Sequence, residues 1–142
     1  MKAILTYGTG YGKSREMAEI NAQLDARVDK IKIRKLDNLE IERCDLSENK
    51  KELSKLKGEF TGIILQNCAK SDVFSCLAFG ITEDRIFIGK GKAFGKKAEE
   101  QATYEAKRGA GNSLESLQQI LANAPYKKDQ YGCAIVALIL VD

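Results

Sequence analysis

Tyr7-Gly8-Thr9-Gly10-Tyr11-Gly12-Lys13-Ser14 is the stretch on which the reading of the fold turns. The apolar run Ala3-Ile4-Leu5 precedes it and a helical pattern follows. Residues 2–7 read as a strand, Gly8 to Ser14 as a tight turn, and residues 14–26 as a helix. Ser14 is its N-cap, and Met17, Ile20 and Leu24 recur at i, i+3 and i+7. A strand, a glycine-rich turn and a helix with Lys and Ser at its mouth is a common way to hold an anion. Glycines let backbone N–H groups approach the ligand, and the helix N-terminus adds partial positive charge. The spacing departs from a nucleotide-binding loop, G-x-x-x-x-G-K-[ST], because Gly8 and Gly12 enclose three residues rather than four. The stretch therefore reads as a turn whose Gly10, Tyr11 and Lys13 contribute to an anion site. A P-loop-like NTPase using Gly8 to Ser14 is an alternative.

A chain of 142 residues, 44% hydrophobic and 30% charged, makes one domain with a real core. A net charge of +3 argues against dedicated nucleic-acid binding. The absence of histidine removes Ser-His, Cys-His and His-metal chemistry within one chain. Cys44, Cys68, Cys76 and Cys133 include no C-x-x-C pair, so no metal site is expected, and those in apolar runs read as reduced, buried thiols. No signal peptide is recognised, and the terminal apolar run from Cys133 to Val141 is too short to span a bilayer. The expectation is a soluble cytoplasmic protein (host cytoplasm if phage-encoded) with no membrane partner.

Further along, Val28 to Leu36 alternates as a half-buried strand, and Leu39 to Glu42 reads as a short one. Residues 47–57 read as a polar helix capped by Ser47, with Leu53 and Leu56 on its apolar face. Gly62 to Gln66 is a continuous apolar strand of the kind found at a sheet centre, Val73 to Ile81 a second, and Arg85 to Ile88 a third. Residues 95–108 read as a helix with Ala98, Ala102 and Ala106 on one face. Asn112 or Ser113 then caps another helix carrying Leu114, Leu117, Ile120 and Leu121, ended by Pro125. Tyr131 to Val141 reads as a buried strand. The pattern predicts a single α/β domain, a mixed-sheet sandwich over residues 1–142.

Gly89-Lys90-Gly91-Lys92-Ala93-Phe94-Gly95-Lys96-Lys97 is a second glycine-rich segment, and more basic than the first. Flexible backbone beside a helix start, with several ammonium groups, favours phosphate or carboxylate. Phe94 can stack on a base, or can serve as a hydrophobic staple for the next helix.

With these elements placed, the chain resembles the pyruvoyl-dependent arginine decarboxylase family. The resemblance is carried by the opening strand, glycine turn and alanine-bearing helix, and by the alternating strand Val28 to Leu36. Ala69-Lys70-Ser71-Asp72-Val73 with the apolar run to Ile81 continues it, as do Gly95-Lys96-Lys97-Ala98-Glu99-Glu100 and Tyr131-Gly132-Cys133-Ala134-Ile135-Val136-Ala137-Leu138. It is colinear and nearly complete. It implies an αββα sandwich assembling into trimers and hexamers, with ligand sites between subunits. That family makes its pyruvoyl group by self-cleavage at a Ser-Ser pair and uses a glutamate as proton donor. Here Arg34 and Lys35 stand at the matching pair, and the glutamate position falls at or near Gly89. A retained pocket would then be lined by Arg34, Lys35, Lys90 and Lys92, which suits an anion.

The resulting expectation is a non-catalytic homo-oligomer without a cofactor. It would hold or sequester a phosphate-bearing small molecule, in the manner of small phage proteins that sequester nucleotide immune signals. Its ligand would meet Gly10, Tyr11, Lys13, Arg34, Lys35, Lys90, Lys92 and Phe94. The enzymatic alternative is a divergent decarboxylase using Ser71 or Ser75, and a structural subunit without a ligand is a further one.

Overall fold

The computed structural model describes residues 1–93 and 97–142, so the Phe94, Gly95 and Lys96 portion of the second glycine-rich segment lies outside the described residues. In chain order the elements are β1 (Lys2–Gly12), α1 (Arg15–Ala26), β2 (Ile31–Lys35), β3 (Glu40–Glu42), β4 (Asp45–Glu48) and α2 (Lys50–Leu53). They continue as β5 (Gly58–Ala69), β6 (Val73–Ile81), β7 (Arg85–Ala93), α3 (Lys97–Ala110), β8 (Ser116–Ala124) and β9 (Tyr131–Val141). A mixed five-stranded sheet runs in the order β2-β5-β9-β1-β4, and an antiparallel four-stranded sheet in the order β3-β7-β6-β8. The sheets pack face to face through Leu5, Ile63, Leu65, Leu77, Phe79, Ile86, Val136 and Leu138. α1 covers the outer face of the larger sheet and α3 that of the smaller, giving the αββα sandwich.

Gly8 to Gly12, and Gly89 to Ala93 of the second segment, are strand rather than turn, and the reason is helix packing. Gly8, Gly10 and Gly12 alternate along β1 on the face beneath α1, whose buried residues are Ala18, Ala22 and Ala26. A Cβ on Gly10 would lie 2.2 Å from the Ala22 backbone nitrogen, and one on Gly8 2.5 Å from that of Ala26. In the other layer Gly89 and Gly91 lie beneath Ala98, Ala102 and Ala106 of α3, where an added Cβ would meet the Ala102 and Ala98 carbonyl oxygens at 1.9 Å. Small residues on both surfaces let a helix lie almost on the sheet backbone. The sequence rule that glycine clusters mark loops fails where a helix replaces the missing side chains.

Where α1 and α3 pass a sheet edge, each sends down an acid. Asp25 accepts from the Thr9 N–H at 2.9 Å, and Glu105 accepts from the Lys90 N–H at 3.1 Å. These bonds occupy donors that β4 and β3, which are short, leave unpaired.

Four further expectations are corrected. The helix expected after Asn112 is a 3-10 turn, Gly111–Ser113, followed by β8. Its residues also alternate, and pairing with β6 buries Ile120, Ala122 and Ala124 on one face. The polar helix over 47–57 shrinks to α2, capped by Asn49, because Ser47 is taken into β4 beside β1. The apolar stripe Met17, Ile20 and Leu24 belongs to α1 but faces outward, 52%, 46% and 48% exposed. Cys68 and Cys133, expected as thiols, stand directly opposite on β5 and β9 and form a disulfide. Cys44 and Cys76 are free. Among the described residues, no helix is long and apolar enough to cross a membrane.

Candidate functional site

Chemistry-bearing side chains lie on both faces of the larger sheet at the end where β1 and β5 end and β9 begins. Tyr11, Gly132 and Ala69 stand opposite one another across these strands, and Gly12 stands opposite Tyr131. Lys70 and Asp72 lie just beyond β5, Tyr126 and Lys127 just beyond β8, and Arg15 opens α1. Three cations rest on aromatic faces there. Lys127 Nζ is 3.9 Å from the Tyr11 ring centroid, Lys70 Nζ 5.0 Å from that of Tyr131, and the Arg15 guanidinium carbon 5.8 Å from the same ring. A ring face attracts a cation without neutralising it.

Bonds to the backbone hold the Tyr11 side in place. The Tyr11 hydroxyl donates to the Pro125 carbonyl at 2.8 Å, and Asp72 accepts from the Tyr126 N–H at 2.6 Å. Burial, and secondarily the Asp72 charge, raise the Tyr11 pKa above its usual value, so this hydroxyl remains a neutral donor. Among the described residues none of Arg15, Lys70 and Lys127 forms an ion pair. Lys13 follows directly on Gly12 and is exposed. At this sheet end Tyr11 with Lys127 lies on the face toward the other sheet, and Tyr131 with Arg15 and Lys70 on the face beneath α1. Three cations without an ion-pair partner among the described residues thus flank the strand ends, one on the inner face and two on the outer, and such cations suit phosphate or another polyanion.

The residues singled out from sequence fall into three places within one chain. Tyr11 belongs to the inner-face group with Lys127, and Lys13 follows one residue beyond β1. Gly10 is buried beneath α1. Arg34 stands opposite Thr61 on β5, eight positions from Ala69, which is roughly 27 Å along a strand. Its guanidinium donates to the Thr61 hydroxyl at 3.0 Å and lies 3.7 Å from Glu59. Lys35 is its exposed neighbour. Lys90 and Lys92 line a separate open hollow of about 350 Å³ with Leu65, Gln101 and Glu105. Arg15, Lys70, Lys127 and Tyr131 were not singled out. They are scattered through the sequence, and only the fold brings them to one end of the larger sheet, Lys127 toward its inner face and Arg15, Lys70 and Tyr131 toward its α1 face.

No protein-family model matches the chain, and no curated protein matches it significantly.

Proposed function

We propose that the chain is a non-catalytic homo-oligomer that holds an anionic, phosphate-bearing small molecule at the end of the larger sheet that carries Arg15, Lys70 and Lys127. The observation that carries this reading is that three cations meet tyrosine rings at one end of the larger sheet, Lys127 on its inner face and Arg15 and Lys70 on its α1 face, with no ion-pair partner among the described residues. Phosphate oxygens supply the missing counter-charge and accept several charge-assisted hydrogen bonds at once. Sequestration of a nucleotide signal, in the manner of a phage anti-defence protein, is one use of such a site. The resemblance to pyruvoyl-dependent arginine decarboxylases supports a trimeric or hexameric assembly, in which Arg34, Lys35, Lys90 and Lys92 of neighbouring copies can complete the pocket.

Two features favour binding over catalysis. Ser75, one candidate for a displaced self-cleaving serine, is fully buried and donates to the Ala134 carbonyl at 2.9 Å. Gly8, Gly10 and Gly12 are ladder residues opposite Ile135, Cys133 and Tyr131, an extended backbone rather than a cradle of converging N–H groups.

Calorimetric titration against cyclic and linear nucleotides tests the reading. Binding by the wild type is expected, with a ~10-fold or greater loss, about 1.4 kcal/mol, when Lys70 and Lys127 are both changed to alanine. Absence of heat with every nucleotide sinks it. An intact mass of one uncut 15.7 kDa chain is expected, and two fragments would instead favour the self-cleaving decarboxylase.

A further inference from the structure

The sandwich has four edge strands, β2 and β4 in one sheet and β3 and β8 in the other. An open edge offers unpaired backbone groups to any passing strand, and charge is the usual protection. β2 is Ile-Lys-Ile-Arg-Lys, β4 is Asp-Leu-Ser-Glu and β3 is Glu-Ile-Glu. The stretches of β1 and β7 that run past β4 and β3 are capped by Asp25 and Glu105. β8 departs from this pattern. It is nine residues long, Ser-Leu-Gln-Gln-Ile-Leu-Ala-Asn-Ala, and contains neither a charge nor a proline. It pairs with β6 on one side only. The longest edge of the molecule is therefore its one uncharged edge strand.

We infer that β8 is the strand through which two copies of this chain join, antiparallel about a two-fold axis, making one eight-stranded sheet from two four-stranded ones. The sequence of the strand argues for a second copy as occupant. Leu117-Gln118-Gln119-Ile120-Leu121 is close to a palindrome about Gln119. Self-pairing centred there sets Leu117 opposite the partner's Leu121 and Gln119 opposite the partner's Gln119, apolar against apolar and amide against amide. Leu117 and Leu121 are only partly covered by α3, so this pairing completes their burial. No like charges meet anywhere along the nine residues. The inference deepens the homo-oligomer part of the proposed function, selecting the hexamer over the trimer, and is independent of its ligand part.

Light scattering after gel filtration, with circular dichroism to confirm folding, gives the test. The wild type is expected at twice 15.7 kDa or a higher even multiple. Gln119→Lys sets two lysines together at the axis while keeping Glu99, which Gln119 contacts at 3.2 Å, as an intrachain partner. It is expected to halve the mass. Should that variant not fold, Leu117→Lys is read in the same way. In a Cys44→Ser background, Gln119→Cys is expected to form an intermolecular disulfide on mild oxidation, because facing antiparallel Cα atoms lie about 4.5–5.5 Å apart. Leu121→Cys, which faces Leu117 instead, is expected to form none. A monomeric or odd-numbered wild type overturns the inference, as does an unchanged mass in the folded lysine variant. Halving by Leu24→Glu on the exposed face of α1, but not by Gln119→Lys, also overturns it. Loss of nucleotide binding with the mass intact leaves it standing and counts against the ligand reading alone.

Discussion

The layer built by β1 and α1 and the layer built by β7 and α3 solve one problem in one way. Each strand carries Gly-x-Gly facing a helix, Gly8 and Gly10 in the first and Gly89 and Gly91 in the second. Each helix answers with alanines four apart, Ala18, Ala22 and Ala26 against Ala98, Ala102 and Ala106. The residue before the third alanine is an acid in both, Asp25 and Glu105, and it caps the N–H of the residue between the two glycines. The layers differ in what lies around this seam. α1 covers a disulfide, Cys68–Cys133, whereas α3 covers a free thiol, Cys76. α1 turns Met17, Ile20 and Leu24 to the outside, whereas α3 turns out Glu100, Gln101, Tyr104, Lys107 and Arg108. The seam is thus an architectural device, and the outward faces are where the two layers were free to diverge.

The sharpest way to break this equivalence is to fill the seam. Gly91→Val and Gly10→Val are each expected to cost about 3 kcal/mol or more, because rigid helix backbone occupies the space. Gly132→Ala meets the Ala124 methyl and the Tyr11 ring edge, each at 3.3 Å, and is expected to cost nearer ~1 kcal/mol. Urea unfolding of the three variants measures this. A mild Gly10→Val beside a severe Gly91→Val would show that the two seams are not alike.

The sulfur chemistry separates the layers next. Burial first, and the Glu99 charge second, push the Cys76 thiol up to about 11. An unfolded cysteine titrates near the thiol's ordinary value of 9.0. Between these values the unfolded chain holds fewer protons than the folded one, so stability falls as pH rises through that window. Counted from that ordinary value, the contribution is complete below about pH 9 and lost by about pH 11, a change of about 2–3 kcal/mol. Unfolding free energies of the wild type and Cys76→Ala at the two ends of the window check it, and the variant is expected to lose less. Alkylation of the denatured, unreduced chain is expected to label Cys44 and Cys76 and to spare the paired cysteines.

The acidic caps are a smaller effect, and one expected to be equal in the two layers. Asp25→Ala and Glu105→Ala each leave an edge N–H to water and are expected to cost about 1 kcal/mol. Asn and Gln at these positions, which retain an acceptor, are expected to restore most of it. A tenfold disparity between the two alanine variants in the folding equilibrium would mean that only one edge needs protection.

The sandwich was legible because long apolar strands and Ala-bearing helices carry their own periodicity, as β9 and α3 do. The glycines misled because a loop and a helix seat make the same demand, the absence of a side chain, and only the opposing alanines tell them apart. β8 misled for a related reason: Leu117, Ile120 and Leu121 satisfy helical spacing while Ile120, Ala122 and Ala124 satisfy alternation. The free side of β6 decides between them, and that is a tertiary fact. The candidate site was legible only through Tyr11 and Lys13. Its other members reach one end of the larger sheet only through the fold, which no local pattern records.

The outward faces give the smallest effect and the finest discrimination. α1 was recognised from Met17, Ile20 and Leu24, yet its burial rests on the alanines nearly half a turn away around the helix. If the exposed stripe contributes nothing to the fold, Ile20→Gln and Leu24→Gln are each expected to change stability by no more than about 0.5 kcal/mol, as solvent-facing substitutions do. Ala22→Leu, on the buried face, is expected to be severe, since Gly8 and Gly10 leave room for a methyl and nothing larger. Thermal unfolding at two protein concentrations separates the possibilities. A loss of ~2 kcal/mol at Leu24 that grows on concentration would mean that the stripe is covered in an assembly. α1 would then be an interface helix as well as a lid on the sheet, and α3, with its charged exterior, would be the layer that faces water.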